Sequence, residues 1–222
     1  MIHEWIFLET GVIVEFVESI NNQSKGGKNM IRKISGYIIV FLVLIVTGAV
    51  HAENTPPKVG SPLPAIELPR PGNEADLKYL GLSGLSFGST FKVNQIKSKV
   101  VIIQIYSMYC PYCQAEAPNV NRLYGLIENN PALKGKIKII GIGAGNTPFE
   151  VATYKKKYAV PFPLFNDKDF KNYKILGETR TPYFIAAKIN ERGGTEVIYS
   201  RLGAIEDNNL FLEQIAKLAG LR

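Results

Sequence analysis

One stretch constrains this chain more than any other. Val100–Ser107 reads Val-Val-Ile-Ile-Gln-Ile-Tyr-Ser, and two residues later comes Cys110-Pro111-Tyr112-Cys113. An almost unbroken apolar, β-branched run of this length suits a central strand buried on both faces. Such a strand needs cover on each side, which calls for an α/β architecture. The segments around it agree. A helix is expected over roughly Pro111–Asn129 and a buried strand over Ile137–Gly141. A charged helix follows over Thr147–Tyr158, with Thr147 as N-cap and Pro148 at the first helical position. A short strand is expected at Pro161–Leu164 and a helix at Asp167–Leu176. Tyr183–Lys188 and Glu196–Ser200 read as strands, joined through Asn190-Glu191-Arg192-Gly193-Gly194. Residues 206–219 form a helix with Leu210, Leu212, Ile215 and Leu218 as its apolar set. Residues 65–99, broken by Pro-Gly and Gly-Ser pairs, suggest irregular strands or a hairpin. The sum is an α/β fold with a central mixed β-sheet flanked by helices.

The paired cysteines carry the chemistry. At a helix N-terminus the first thiolate lies near unsatisfied backbone N–H groups and the positive end of the helix dipole. Its pKa falls, and it becomes the nucleophile. The second cysteine, one turn on, is within disulfide reach and can resolve a mixed disulfide. Cys110 is therefore the expected nucleophile and Cys113 the resolving thiol. A structural bridge is the competing reading, but closing so small a loop removes little chain entropy. Zinc would need two more ligands, and the chain has only 2 Cys and 2 His. Covalent haem would need a histidine after the second cysteine, where Gln114 stands. No metal and no cofactor are expected beyond the redox-active Cys110–Cys113 pair.

The N-terminal part is a different material. Arg32 and Lys33 precede an apolar run of 14 residues, Tyr37–Val50, followed by His51-Ala52. A comfortable bilayer span needs about 20 residues. Val50 and Ala52 supply the small residues of a cleavage site, so residues 30–52 read as a signal peptide, alternatively an uncleaved anchor. Residues 1–29 do not fit ahead of such a signal. Gly26-Gly27 just before Met30 is what a ribosome-binding sequence yields when translated, so 1–29 are expected to be translated leader. Residues 53–64 are Pro-rich and extended, a tether, and 65–222 form one domain. Both histidines, His3 and His51, precede this domain. Histidine-dependent triads and histidine metal sites are thereby excluded from it. The basic residues before Glu53 (Lys25, Lys28, Arg32, Lys33) balance the acidic ones (Glu4, Glu9, Glu15, Glu18), so the net charge of +7 belongs to the exported part. No nucleic-acid motif accompanies it. Solubility or attraction to clients and membrane surfaces accounts for the charge.

With these residues in view, the chain resembles the thioredoxin superfamily, and within it the TlpA/ResA-like extracytoplasmic thiol–disulfide oxidoreductases. Val100–Tyr109 looks like the strand leading to the active site, with Tyr109 where a Trp usually stands. Pro118, eight residues past Cys110, matches the kinking proline of the active-site helix. Glu116 matches the glutamate of the Cys-x-x-Cys-x-x-Glu pattern, and Thr181-Pro182 resembles the cis-proline loop. Cys110 and Pro182 are 72 residues apart, which fits a central strand–helix insertion. Val59–Pro64 resembles the family's N-terminal extension, and Pro161–Asp167 the segment after the insertion.

The resemblance implies a thioredoxin-like fold and reduction of disulfides in secreted or periplasmic proteins, apocytochrome c among them. It also implies a membrane electron donor of the DsbD/CcdA type. Thr181 and cis-Pro182, with Tyr109, Pro111 and Tyr112, would bind substrate, and Glu116 would act as acid or base. Two departures stand out. Tyr112 makes the tetrapeptide the glutaredoxin one, and Gln104 replaces a buried aspartate. Three other readings stay open: a disulfide oxidase or isomerase, a thiol peroxidase, and a non-catalytic thioredoxin-fold client-binding module. The peroxidase pattern Pro-x-x-x-Thr-x-x-Cys meets Ile103 and Ser107 instead.

Overall fold

In a computed structural model the described residues are 55–82 and 88–221. The expected leader, the signal peptide or anchor, and residues 53–54 of the tether lie outside them. All described residues belong to one compact unit, Ala52–Arg222. Among them, no helix is long and apolar enough to cross a membrane.

The elements in chain order are β1 (Glu67–Pro69), α1 (Glu74–Leu80), β2 (Thr90–Lys92), β3 (Val100–Tyr106) and α2 (Pro111–Glu128). They continue with β4 (Ile137–Ala144), α3 (Pro148–Lys157), β5 (Leu164–Asp167), α4 (Lys171–Ile175), β6 (Tyr183–Ile189), β7 (Thr195–Leu202) and α5 (Asn208–Ala219). Five strands form a mixed sheet in the order β5-β4-β3-β6-β7, and β1 and β2 form a separate antiparallel ribbon. β3 runs parallel to β4 and antiparallel to β6, so it is central, as its composition requires.

Every residue of β3 is buried, and alternate side chains feed two cores. Val100, Ile102 and Tyr106 face α2, α3 and α5. Val101, Ile103 and Ile105 face the β1–β2 ribbon, α1 and α4. Burying a large aliphatic side chain contributes about 1.5–3 kcal/mol, so this strand is the main anchor of both layers. Gly141 and Gly143 of β4 make room for the Tyr106 ring, because a Cβ at either would lie 3.2 Å from it.

Several expectations shift. Residues 65–99 contain the helix α1, capped by the Asn73 side chain and ended by Gly81 at φ 72°. β5 starts at Leu164, after the expected Pro161–Leu164, because neither Pro161 nor Pro163 has an N–H to give a ladder. The helix expected from Asp167 begins only at Lys171, after Phe170 with φ 57°. Asp167 instead accepts from the N–H groups of Asn172 (3.0 Å) and Tyr173 (2.8 Å). In α5 the buried set is Phe211, Leu212, Ile215 and Ala219, while Leu210 and Leu218 are exposed. Phe211 and Ile215 are four apart, Leu212 and Ile215 three, and Ile215 and Ala219 four, so these make the helical stripe, and the expected Leu210 and Leu218 lie off it. The lead-in residues are docked: Gly60 N–H donates to Val197 O and Val197 N–H to Ser61 O, both at 2.8 Å.

Candidate active site

β3 ends at the top of the sheet, and the chain turns there into α2. Cys110 is the N-cap of α2, with extended backbone (φ −80°, ψ 115°), and Pro111 occupies the first helical position. The turn is fixed from three sides. Cys110 N–H donates to Ser107 O at 3.1 Å. Met108 N–H donates to Asn146 Oδ1 at 2.9 Å, and Gln114 Nε2 donates to Met108 O at 2.7 Å. Asn146 is fully buried just past β4, so the turn after β4 holds the active-site loop in place. Pro118 lies inside α2 and withholds the N–H that the Gln114 carbonyl would otherwise accept.

The two sulfurs are unequal. Cys110 is partly exposed and Cys113 fully buried, and both are free thiols. Cys110 Sγ donates to the Thr181 carbonyl at 3.3 Å, and the Thr181–Pro182 bond is cis. Burial pushes the Cys110 thiol up. The Thr181 side chain, the N–H groups of Cys113 and Tyr112 and the Cys113 thiol outweigh it, and the pKa lies below that of a free cysteine. Burial pushes the Cys113 thiol up to about 12, against opposing bonds from Thr181 and the Ser107 N–H. The arrangement therefore offers one accessible thiolate and keeps its partner protonated beneath it.

Three buried polar residues lie on or beside the active-site strand and helix, and of these Tyr154 takes a place the sequence could not show. Tyr154 of α3 is buried, and its hydroxyl donates to the Cys113 carbonyl at 2.7 Å. Its ring packs on Tyr106 with centroids 4.6 Å apart. Gln104 is buried on the face of β3 that looks toward α2. Glu116 is also buried, but its carboxylate is engaged elsewhere. It accepts from Ile205 N–H at 2.9 Å and Asn119 Nδ2 at 3.0 Å, and no hydrogen bond joins it to either sulfur. It ties α2 to the loop between β7 and α5. Burial raises its pKa, and the bonds from Ile205 and Asn119 and the charge of Arg122 oppose the rise.

Around the nucleophile, Tyr109, Pro111 and Tyr112 are exposed, with Tyr109 67% and Tyr112 75% accessible. The Tyr109 hydroxyl donates to Glu150, which belongs to the capping box at the start of α3. Sequence reasoning named Cys110, Cys113, Glu116, Thr181 and Pro182, and the fold brings the thiols and Thr181 together. It missed Tyr154 and Asn146, whose contacts span 41 and 38 residues and leave no local mark. Among the described residues no group of three or more His, Cys, Asp or Glu is placed to hold a metal ion.

This fold and this thiol pair define a thiol–disulfide oxidoreductase of the thioredoxin superfamily. Residues 59–192 match the AhpC/TSA family, and the chain belongs to that family. It is similar to the thiol-disulfide oxidoreductase ResA of Halalkalibacterium halodurans, 25% identical over 58% of this chain and 69% of that one. The ResA of Oceanobacillus iheyensis is 23% identical over 78% of this chain and 84% of its own. The same fold occurs in the thioredoxin domain of a thiol-disulfide oxidoreductase from Bacteroides vulgatus. That match has a TM-score of 0.51 and 16% identity, over 71% of this chain and 98% of that one. A protein from Chlorobium tepidum assigned as thiol:disulfide interchange protein DsbE has a TM-score of 0.54 and 14% identity. It covers 74% of this chain and 99% of its own.

Proposed function

We propose that this chain reduces disulfides in exported proteins outside the cytoplasm, with apocytochrome c among its clients. The observation that carries the reading is the inequality of the two thiols. Cys110 is accessible with a lowered pKa, and Cys113 is buried with a pKa near 12. The Cys110 thiolate attacks a half-cystine of the client. A Cys110–client disulfide forms, the client's own disulfide breaks, and the released thiolate takes up a proton. Cys113 then gives up its proton and attacks Cys110 Sγ, releasing the second client thiol and leaving the Cys110–Cys113 disulfide. Two electrons pass from the dithiol to the client. The extended backbone of Thr181, beside cis-Pro182, is positioned to pair with the client strand, and Tyr109, Pro111 and Tyr112 form the surrounding contact surface. Glu116, one turn past Cys113, is proposed as the proton relay during resolution, a role that requires it to exchange its bonds to Ile205 and Asn119 for contact with the thiol. A membrane electron donor of the DsbD/CcdA type restores the dithiol. Residues 30–52 export the chain, and translation begins at Met30.

The similarity to thiol-disulfide oxidoreductases named ResA supports dithiol–disulfide exchange, and the unequal thiols support the order of events. The decisive experiment is Cys113→Ser, which stops the reaction after the first step. Mixed disulfides with exported proteins should accumulate on Cys110, and Cys110→Ser should abolish them. A redox potential near −270 mV agrees with a reductase; one near −120 mV rejects it.

A further inference from the structure

A slot opens beside the nucleophile, lined by Tyr109, Gly145, Phe170, Thr179, Arg180 and Thr181. Its Thr181 end touches the reacting centre, since the Thr181 carbonyl is 3.3 Å from Cys110 Sγ. Three independent features set it apart from an ordinary surface groove. Phe170 holds a left-handed backbone at φ 57°, which costs a non-glycine residue about 1 kcal/mol or more. Its ring lies over Gly145, where a Cβ would come within 2.3 Å of it. Thr179 is only 6% exposed, yet its hydroxyl has no hydrogen-bond partner among the described residues. Arg180 is exposed and, among the described residues, makes neither an ion pair nor a hydrogen bond.

We propose that this slot reads the residues flanking the target half-cystine: Arg180 selects client segments with a carboxylate next to that cysteine, and an apolar side chain enters between Tyr109 and Phe170. The inference rests on the oxidoreductase reading above and names its substrate class. Arg180 takes no part in bond exchange. It acts on docking, by pairing with the client carboxylate while Thr181 aligns the strand.

The test uses the reduced full-length chain in single turnover. The substrates are peptides closed by one internal disulfide, identical except for Asp, Asn or Lys beside the half-cystine. Rates are divided by those with dithiothreitol to remove intrinsic reactivity. An exposed ion pair supports a preference of about threefold for Asp over Asn and about tenfold for Asp over Lys at low salt. The preference should shrink at 1 M salt, where the screening length is about 3 Å. Arg180→Gln should bring the Asp-to-Lys ratio close to one, and Arg180→Glu should reverse it, with thermal midpoints confirming that both variants are folded. Reduction of all three peptides at equal rates by the parent chain overturns the inference alone. So does a ratio that survives in Arg180→Gln. Failure to reduce any peptide overturns the oxidoreductase reading itself.

Discussion

Alkylation of the reduced protein tests the division of labour between the thiols, and its size follows from the structure. Raising a thiol from the ordinary 9.0 to about 12 cuts its thiolate fraction near neutral pH about a thousandfold. A more basic thiolate is also more nucleophilic. A Brønsted coefficient of about 0.4–0.5 returns roughly 20-fold of that loss. The remainder is about 50-fold in favour of a normal cysteine over Cys113. Two further effects widen the gap. Cys113 is fully buried, so the reagent must wait for an opening of the helix start, whereas Cys110 is partly exposed. Cys110 also has a lowered pKa, so more of it is thiolate at neutral pH. Iodoacetamide at pH 7, quenched at intervals and followed by peptide mass spectrometry, should modify Cys110 at least about 50 times faster than Cys113. The pH profile for Cys110 should level off below that of a free cysteine. Rates within a few-fold of each other, or faster modification of Cys113, would refute the assignment of nucleophile and resolving thiol.

Three substitutions probe the supports of the site. Tyr154→Phe removes one buried hydrogen bond, to the Cys113 carbonyl, and should cost about 1 kcal/mol in a denaturant titration, or about 2–4 °C in Tm. For Glu116, burial raises the folded-state pKa above the unfolded one. Its contribution is complete at acid pH and declines as pH rises through the folded value. Glu116→Gln should remove that slope, so urea midpoints of variant and parent diverge, in the variant's favour, as pH rises above about 4. Gly145→Ala forces a side chain onto a residue at φ 67° and against the Phe170 ring, and should destabilise by about 1–3 kcal/mol in a thermal melt.

Where the sequence was readable, a local rule and the tertiary fold agreed. The β-branched run of β3 could only be central, and the Thr147-Pro148 pair marked the cap and first turn of α3. The helix α1 escaped for the opposite reason. Asn73, Glu74, Asp76 and Gly81 are fair capping signals, but the helix between them has only 7 residues and its one buried residue is Leu80. Too few apolar positions recur to show a period, and neighbouring elements hold the helix in place. The thiol pair was legible because its spacing is short. What distinguishes the two sulfurs energetically was not, because burial, the Thr181 contact and the Tyr154 bond all come from distant parts of the chain. Glu116 was legible as a carboxylate near the thiols, but not as a tie to Ile205, 89 residues away.

α1 also closes a part of the sheet that no strand covers. β5 meets β4 only from Gly141 onward, and before it Ile137 bridges to Lys134 and donates to Leu133 O, so among the described residues Ile139 is the outward-facing residue of β4 left without a backbone partner on that side. There the single hydroxyl of Tyr79 serves both groups of Ile139, accepting from its N–H at 2.8 Å and donating to its carbonyl at 3.4 Å. An unclosed ladder segment is a template for another chain. This phenol therefore governs how the protein behaves in company. A Tyr79→Phe protein should keep its thiol chemistry in dilute solution, yet lose its even particle size in light scattering as concentration rises.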